Sequence, residues 1–387
     1  MSAPAPPPLG IYVHWPYCAR LCPYCDFNVV RDRHRAEEKE GLAAAIIADL
    51  AVHADLIGSQ PDSGPRSVSS IFFGGGTPSL MEPAMVARII QTVRRLWTPA
   101  DGLEITLEAN PTDAEAGRFA AFSEAGVTRL SLGIQSLDDR SLRFLGRNHD
   151  AASASRAIEV ARGVFSRLSV DLIYALPGQS PAAWSDELAA VVALEPEHIS
   201  AYQLTIEEGT AFHRAVRRGS LKTPPADLAA DLYETTQRVL GEAGYHAYEV
   251  SNHARRRAAR SRHNLTYWRG GDYVGVGPGA HGRLTLGQER WASVAPDAVA
   301  GYVEAVGRGG AGSRRERLTA REIALERLLM GLRTDEGVAL GDLAPLGIAP
   351  ATLAGLEGLA RVCAGRLTAT AKGRPVLDRL IAELVAG

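Results

Sequence analysis

Three of the chain's four cysteines, Cys18, Cys22 and Cys25, fall in one short segment, and the fourth, Cys363, stands alone. Pro16 and Pro23 keep that segment from being helical. Thiols three and four residues apart in a loop can converge on one metal centre. Three readings compete: buried structural cysteines, a zinc site with His14 as fourth ligand, and an iron–sulfur cluster. A tight cluster in a cysteine-poor chain favours the last. Iron–sulfur clusters usually take four cysteines, so three leave one iron open to bind something else, which suits catalysis better than electron carriage. A second group of polar residues recurs after short apolar runs: Gly74-Gly75-Gly76-Thr77, Glu108, Gln135, Asp171 and Gln203. Glycines let backbone N–H groups approach a carboxylate or phosphate, and Thr77 adds a hydroxyl.

The elements that must position these residues alternate along the chain. Strands are expected at Ile11–Trp15, Ser69–Phe73, Leu103–Glu108, Arg129–Ile134, Leu168–Ile173 and Glu197–Leu204. Helical patterns fall between them, at Ala36–His53, Pro83–Leu96, Ala114–Ala125, Ser136–Leu145, Ala152–Val164 and Pro181–Ala193. Strand–helix alternation with crossover-length connections predicts an α/β fold with parallel strands, a complete or partial barrel. Polar residues at the carboxyl ends of its strands would share one rim, where barrel sites form. Beyond the sixth strand the alternation weakens. An Arg-rich stretch, Arg255, Arg256, Arg257, Arg260 and Arg262, reads as a solvent-facing loop. The expected division is a flexible arm at 1–9, a barrel with extension at 10–285, a linker at 286–317 and a small C-terminal helical, winged-helix-like domain at 318–387.

Composition limits the function classes. With 387 residues, 46% apolar and 22% charged, the chain needs no disulfides to build a core. Lys plus Arg number 42 against 44 Asp plus Glu, a net charge of −2, which argues against a nucleic-acid partner. No uninterrupted apolar run suggests a transmembrane segment, and the Pro-rich start lacks the regions of a signal peptide. Clustered reduced thiols point to a reducing, cytoplasmic setting.

The spacing C-x3-C-x2-C resembles that of radical S-adenosylmethionine (SAM) proteins. The segments "IYVHWPYCARLCPYCDFN", "FFGGGTPS", "LEANP", "RLSLGIQS", "LGRNH", "DLIYALPGQ" and "HNLTYWRGGDYVGVGPGAHG" occur in the order seen in their HemN/HemW branch. The resemblance implies a partial (β/α)6 barrel whose three cysteines hold a [4Fe–4S] cluster and whose open iron takes SAM. It implies that Tyr12, Tyr24, Gly75, Gly76, Thr77, Glu108, Gln135, Arg147 and Asp171 contact SAM. Gly75 to Thr77 would take the amino-acid part, and Glu108, Gln135, Arg147 and Asp171 the ribose and carboxylate.

Within that branch, the dehydrogenases carry a further cysteine two residues after the third, where this chain has Phe27. The heme-chaperone side has Phe there and an H-N-x-x-Y-W motif, matched by His263, Asn264, Tyr267 and Trp268. The resemblance implies heme as cargo and apo-heme proteins of the respiratory chain as acceptors. It leaves room for a peripheral membrane contact and a homodimer. A neutral imidazole can ligate heme iron, aromatic faces can pack on a macrocycle, and the arginines can pair with propionates. The alternative for the motif is a packed loop with structural Trp and His. His14, His149, His253 and His281 are further candidate ligands. The alternative functions are oxygen-independent dehydrogenation of coproporphyrinogen III and another radical SAM reaction.

Overall fold

The computed structural model describes residues 7–60, 65–113, 116–356 and 358–386. Strand β1 (Leu9–Trp15) leads into a short parallel pair, β2 (Tyr17–Cys18) and β3 (Val30–Arg31). Then come β4 (Ser67–Gly75), β5 (Thr98–Ala109), β6 (Arg129–Gln135), β7 (Leu168–Tyr174) and β8 (His198–Gln203). The helices between them are α1 (Ala36–Gly58), α2 (Pro83–Leu96), α3 (Ala116–Glu124), α4 (Asp139–Phe144), α5 (Ala151–Val164) and α6 (Pro181–Ala193). Strands β1, β4, β5, β6, β7 and β8 are hydrogen-bonded in that order, all parallel. This is the mixed α/β partial barrel expected from the alternation.

Side-chain period explains why these segments became these strands. In β1 the odd residues Leu9, Ile11, Val13 and Trp15 are fully buried in the apolar core, while Tyr12 and His14 line the barrel's interior. In β6, Leu130, Leu132 and Ile134 join the core, and Arg129, Ser131, Gly133 and Gln135 line the interior cavities. Helix starts are fixed by side-chain caps: Asp138 accepts from Ser141 N, Asp150 from Ser153 N and Ser180 from Ala183 N.

After β8 follow α7 (Ala211–Arg217), α8 (Ala226–Glu242), the short strands β9 (His246–Ala247) and β10 (Asn252–Ala254), and α9 (Arg262–Trp268). The chain then forms β11 (Tyr273–Val276), β12 (His281–Leu286), β13 (Glu289–Val294), α10 (Val299–Gly307) and β14 (Arg314–Arg317). Strand β11 pairs parallel to β1 on its other edge, and β12, β13 and β14 extend the sheet antiparallel.

Several expectations are corrected. The 286–317 segment is no linker: β13, α10 and β14 continue the sheet, and Tyr302 and Gly312 bond to buried Asp49 on α1 at 2.8 Å each. The arm does not reach residue 9, because Leu9 is already a fully buried strand residue; residues 1–6 lie outside the described residues. The "HNLTYW" segment is a helix, α9, capped by Ser261. The Arg-rich stretch does face solvent at Arg255, Arg256, Arg257 and Arg262, and only Arg260 turns inward, paired with Asp335.

Helix α1 is the one helix among the described residues long and apolar enough to cross a membrane. Its Leu42, Ile46, Leu50 and Ile57 are buried in the barrel core. The C-terminal unit holds α11 (Ala320–Gly331), β15 (Val338–Ala339), α12 (Pro350–Gly355), β16 (Ala360–Cys363), β17 (Arg366–Ala369) and α13 (Leu377–Ala386). Its sheet has three strands, where the sequence suggested one, around a small core of its own.

Candidate functional site

The three cysteines follow β1 at the carboxyl ends of the parallel strands, Cys18 ending β2 and Cys22 and Cys25 in the loop after it. Cys25 N donates to Cys22 O at 3.3 Å, which turns the loop. All three line one cleft of about 340 Å³ together with Tyr24, Gly75, Gly76, Thr77, Glu108, Gln135, Arg147 and Asp171. Eight of the nine residues expected around SAM therefore share a wall with the cysteines. The ninth, Tyr12, does not: it points into a second chamber deeper in the barrel, where its hydroxyl meets His14 Nδ1 at 3.0 Å.

The thiols have defined neighbours. Thr77 Oγ1 donates to Cys18 Sγ at 3.6 Å. Arg147 Nη1 donates to Cys22 Sγ at 3.4 Å, and its Nη2 donates to Gly133 O at 3.0 Å and to Asn110 Oδ1. Burial pushes the Cys25 thiol up to about 11. Burial also raises Cys18, opposed by the Thr77 hydrogen bond. A bound metal centre would reverse those shifts by taking the thiolates as ligands. A zinc site would need His14 as its fourth ligand, and His14 is committed at both nitrogens, to Tyr12 OH and to Asn28 O. Three thiols on one cleft suit a multi-iron cluster, whose cysteines each bind a different iron. The residues present fit such a cluster.

The glycine run works differently from the sequence expectation. Its N–H groups are spent within the protein: Gly75 N donates to Glu108 Oε2 (3.2 Å), Gly76 N to Trp15 O (2.8 Å) and Thr77 N to Tyr17 O (2.9 Å). The glycines are needed for close approach. Gly75 has φ +110°, and a Cβ there would lie 2.6 Å from the His14 ring; one at Gly76 would lie 2.6 Å from Pro16 O. A segment with its donors used offers acceptor oxygens, which fit an ammonium group rather than a carboxylate.

Glu108 is raised to about 8, first by burial and then by the Asp171 carboxylate nearby. Asp171, raised by burial, accepts from Ser131 Oγ at 3.0 Å and Ser169 Oγ at 3.3 Å. Gln135 ends β6 at φ +66°, after a register shift between Leu132 and Gln135. A bulge at a strand end re-aims a side chain, and Gln135 lines the cleft. Asn110 and Gly133 were missed by the sequence reading. Asn110 also donates to Thr77 Oγ1 at 3.1 Å, linking the cysteine and arginine sides. Its signal was its place just after Glu108 at the end of β5.

The second chamber, about 430 Å³, lies below and shares Gly75, Glu108, Ser131 and Asp171 with the cleft. Helix α9 closes its far end: Arg262 N donates to Glu104 Oε1, midway along β5, at 2.8 Å. His263, Asn264 and Tyr267 line this chamber; Trp268 does not. His263 stacks on Phe72 at 4.8 Å and on Tyr12 at 5.9 Å, and burial lowers its pKa to about 3, so the imidazole is neutral. Of the other histidines, His281 also lines the chamber, while His149 is held by Ile134 O at 2.9 Å and lies outside it.

A family model described as the Radical SAM superfamily matches residues 12–189. Over 386 residues the chain is 36% identical to the protein named heme chaperone HemW of Mycobacterium tuberculosis, covering 99% of this chain and 96% of that one. The chain belongs to the HemN/HemW-like radical SAM proteins. It is also 44% identical over 336 residues to the mouse protein named radical S-adenosyl methionine domain-containing protein 1, mitochondrial, covering 85% of this chain and 74% of that one. Its fold matches the solved structure titled coproporphyrinogen III oxidase (HemN) from Escherichia coli. The TM-score is 0.79 over 98% of this chain and 90% of that one, at 22% identity. In a radical SAM protein the cysteine loop at the strand ends is the expected place for cluster chemistry, and Phe27 stands at its edge, 60% exposed and lining both cavities.

Proposed function

We propose that this chain is a heme carrier. It holds a [4Fe–4S] cluster on Cys18, Cys22 and Cys25 and SAM in the cleft above the barrel, and it delivers heme to apo-heme proteins. The observation that carries this reading is Phe27. An exposed phenyl ring stands at the rim of the cleft at the position where the dehydrogenase branch has a further cysteine. A phenyl cannot ligate iron or relay electrons, but it can pack on a flat ring. The full-length likeness to a protein named heme chaperone HemW supports the same reading.

When bound, the reduced cluster supplies one electron to SAM. The chain's own residues do the rest. The acceptor oxygens around Gly76 and the Thr77 hydroxyl suit the ammonium of SAM. Gln135, Glu108 and Asp171 suit its hydroxyls: a protonated Glu108 can donate, and Asp171 accepts. Arg147, against Cys22, places its positive charge beside the cluster position and its planar fork at the edge of the cleft. In the lower chamber the neutral His263 imidazole has the form that ligates heme iron.

Heme added to purified protein is expected to give a Soret band that is lost in His263→Ala. An anaerobic assay of reconstituted protein with coproporphyrinogen III, SAM and a reductant, run beside a HemN-type enzyme, is expected to give no protoporphyrinogen. Product at the control's rate would replace the carrier reading by the dehydrogenase one.

A further inference from the structure

We infer that the lower chamber binds the carboxylate arm of a flat, ring-bearing ligand and that Arg129 is its anchor. The identity of the ring rests on the carrier reading; the carboxylate rests on the chamber itself. Arg129 is only 2% exposed, at the inner end of β6, and it lines the chamber. Among the described residues its guanidinium makes no hydrogen bond and no ion pair within 4.0 Å. Its Nε is enclosed without a partner, and so are Thr106 Oγ1, on the strand residue in register with it, and Asn252 Oδ1 on the chamber wall.

A buried cation with unused donors is costly. The two nearby acids do not relieve it by contact. Asp171 spends its oxygens on Ser131 and Ser169, and Glu108 accepts from Gly75 N. Glu108, raised to about 8, is largely uncharged at neutral pH. Both acids feel the Arg129 charge only across a distance, so its enclosed Nε stays free for a ligand's acceptor oxygen. A guanidinium takes a carboxylate through two parallel hydrogen bonds. A dianionic phosphate would face Asp171 as well and is disfavoured by like charge. One part of an otherwise polar wall is flat and aromatic: Tyr12, Phe72 and His263 stack on one another with centroids 4.8 to 6.3 Å apart. An anion anchor beside an aromatic stack matches a ring that carries a short carboxylate arm, such as a tetrapyrrole propionate.

The test compares heme with its dimethyl ester, whose propionates are blocked, by absorbance titration of wild-type protein, Arg129→Met and Arg129→Lys. Wild type is expected to bind heme about tenfold tighter than the ester. In Arg129→Met the two should bind alike, and Arg129→Lys should keep part of the preference. Equal binding of heme and ester by the wild type, which needs no variant to fold, overturns the anchor and leaves the carrier reading standing. Absence of any heme binding overturns the carrier reading. Metal-free coproporphyrin III against its tetramethyl ester then decides the anchor by the same comparison, read by fluorescence. A preference for the free acid that survives in a folded Arg129→Met also overturns it.

Discussion

Arg147 and Cys22, 125 residues apart in the chain, meet at 3.4 Å, guanidinium to sulfur. Gly146, at φ +69°, makes this approach possible: a Cβ there would lie 2.7 Å from Pro23 Cδ in the cysteine loop. A fixed positive charge beside a cluster ligand stabilises the state of the cluster with the extra electron. Arg147→Met is expected to keep iron and sulfide content. Its midpoint potential should move negative by tens of millivolts, on the order of one small electrostatic contact. An EPR-monitored redox titration measures this. An unchanged potential with an intact cluster contradicts it.

Cys22→Ala should abolish the visible absorbance of the reconstituted protein and its bound iron and sulfide. Cys363, exposed on β16 in the C-terminal unit, should be dispensable. Iron and sulfide assays of both variants decide between three and four protein ligands. Loss of the cluster in Cys363→Ala would show that the tail supplies a fourth.

Glu249 is 1% exposed, accepts from Ser251 N at 3.0 Å, and is raised by burial to about 7. Its folded form holds a proton that its unfolded form has released between about pH 4.5 and 7. Stability from this group is complete below that window and is lost as the pH rises through it. Glu249→Gln should flatten the fall, a difference on the order of 3 kcal/mol across the window. Urea unfolding at pH 5 and pH 8 measures it. Equal slopes in variant and wild type refute it.

Gly75→Ala places a Cβ 2.6 Å from the His14 ring in a backbone conformation that L-residues avoid. It should cost roughly 1–3 kcal/mol of unfolding free energy. SAM affinity, measured by equilibrium dialysis, should fall at least about tenfold, because Thr77 and the Glu108 hydrogen bond move with the glycine. Wild-type affinity in this variant would mean that the run is only a turn.

The barrel was legible because strand alternation is written in residue type. Leu130, Leu132 and Ile134 face the core while Arg129, Ser131 and Gln135 face inward. The cysteine loop was legible from spacing alone. Contacts set by long-range packing were not. Nothing local marks Tyr273–Val276 as a parallel neighbour of β1, or residues 286–317 as sheet and helix rather than a linker. Glycine composition suggested donors free for a ligand, but the backbone direction that spends them on Trp15 and Tyr17 appears only in the fold. "HNLTYW" showed ring-binding residue types, yet its helical form and burial of His263 depend on Ser261 and on Glu104 across the barrel. Arg129 passed unnoticed because a single arginine has no pattern; only its enclosure makes it unusual.

The first strand is flanked by β4 on one edge and by β11 on the other, and Asn28, just past the cysteines, donates to Pro278 O, 250 residues onward. At translation rates of roughly 5–20 residues per second, that partner leaves the ribosome on the order of tens of seconds after the cysteines do. Until then the nascent thiols ride on a half-paired strand with an open edge. The seat of the cysteines is thus completed late in the making of each molecule, by the arrival of the far end of the sheet.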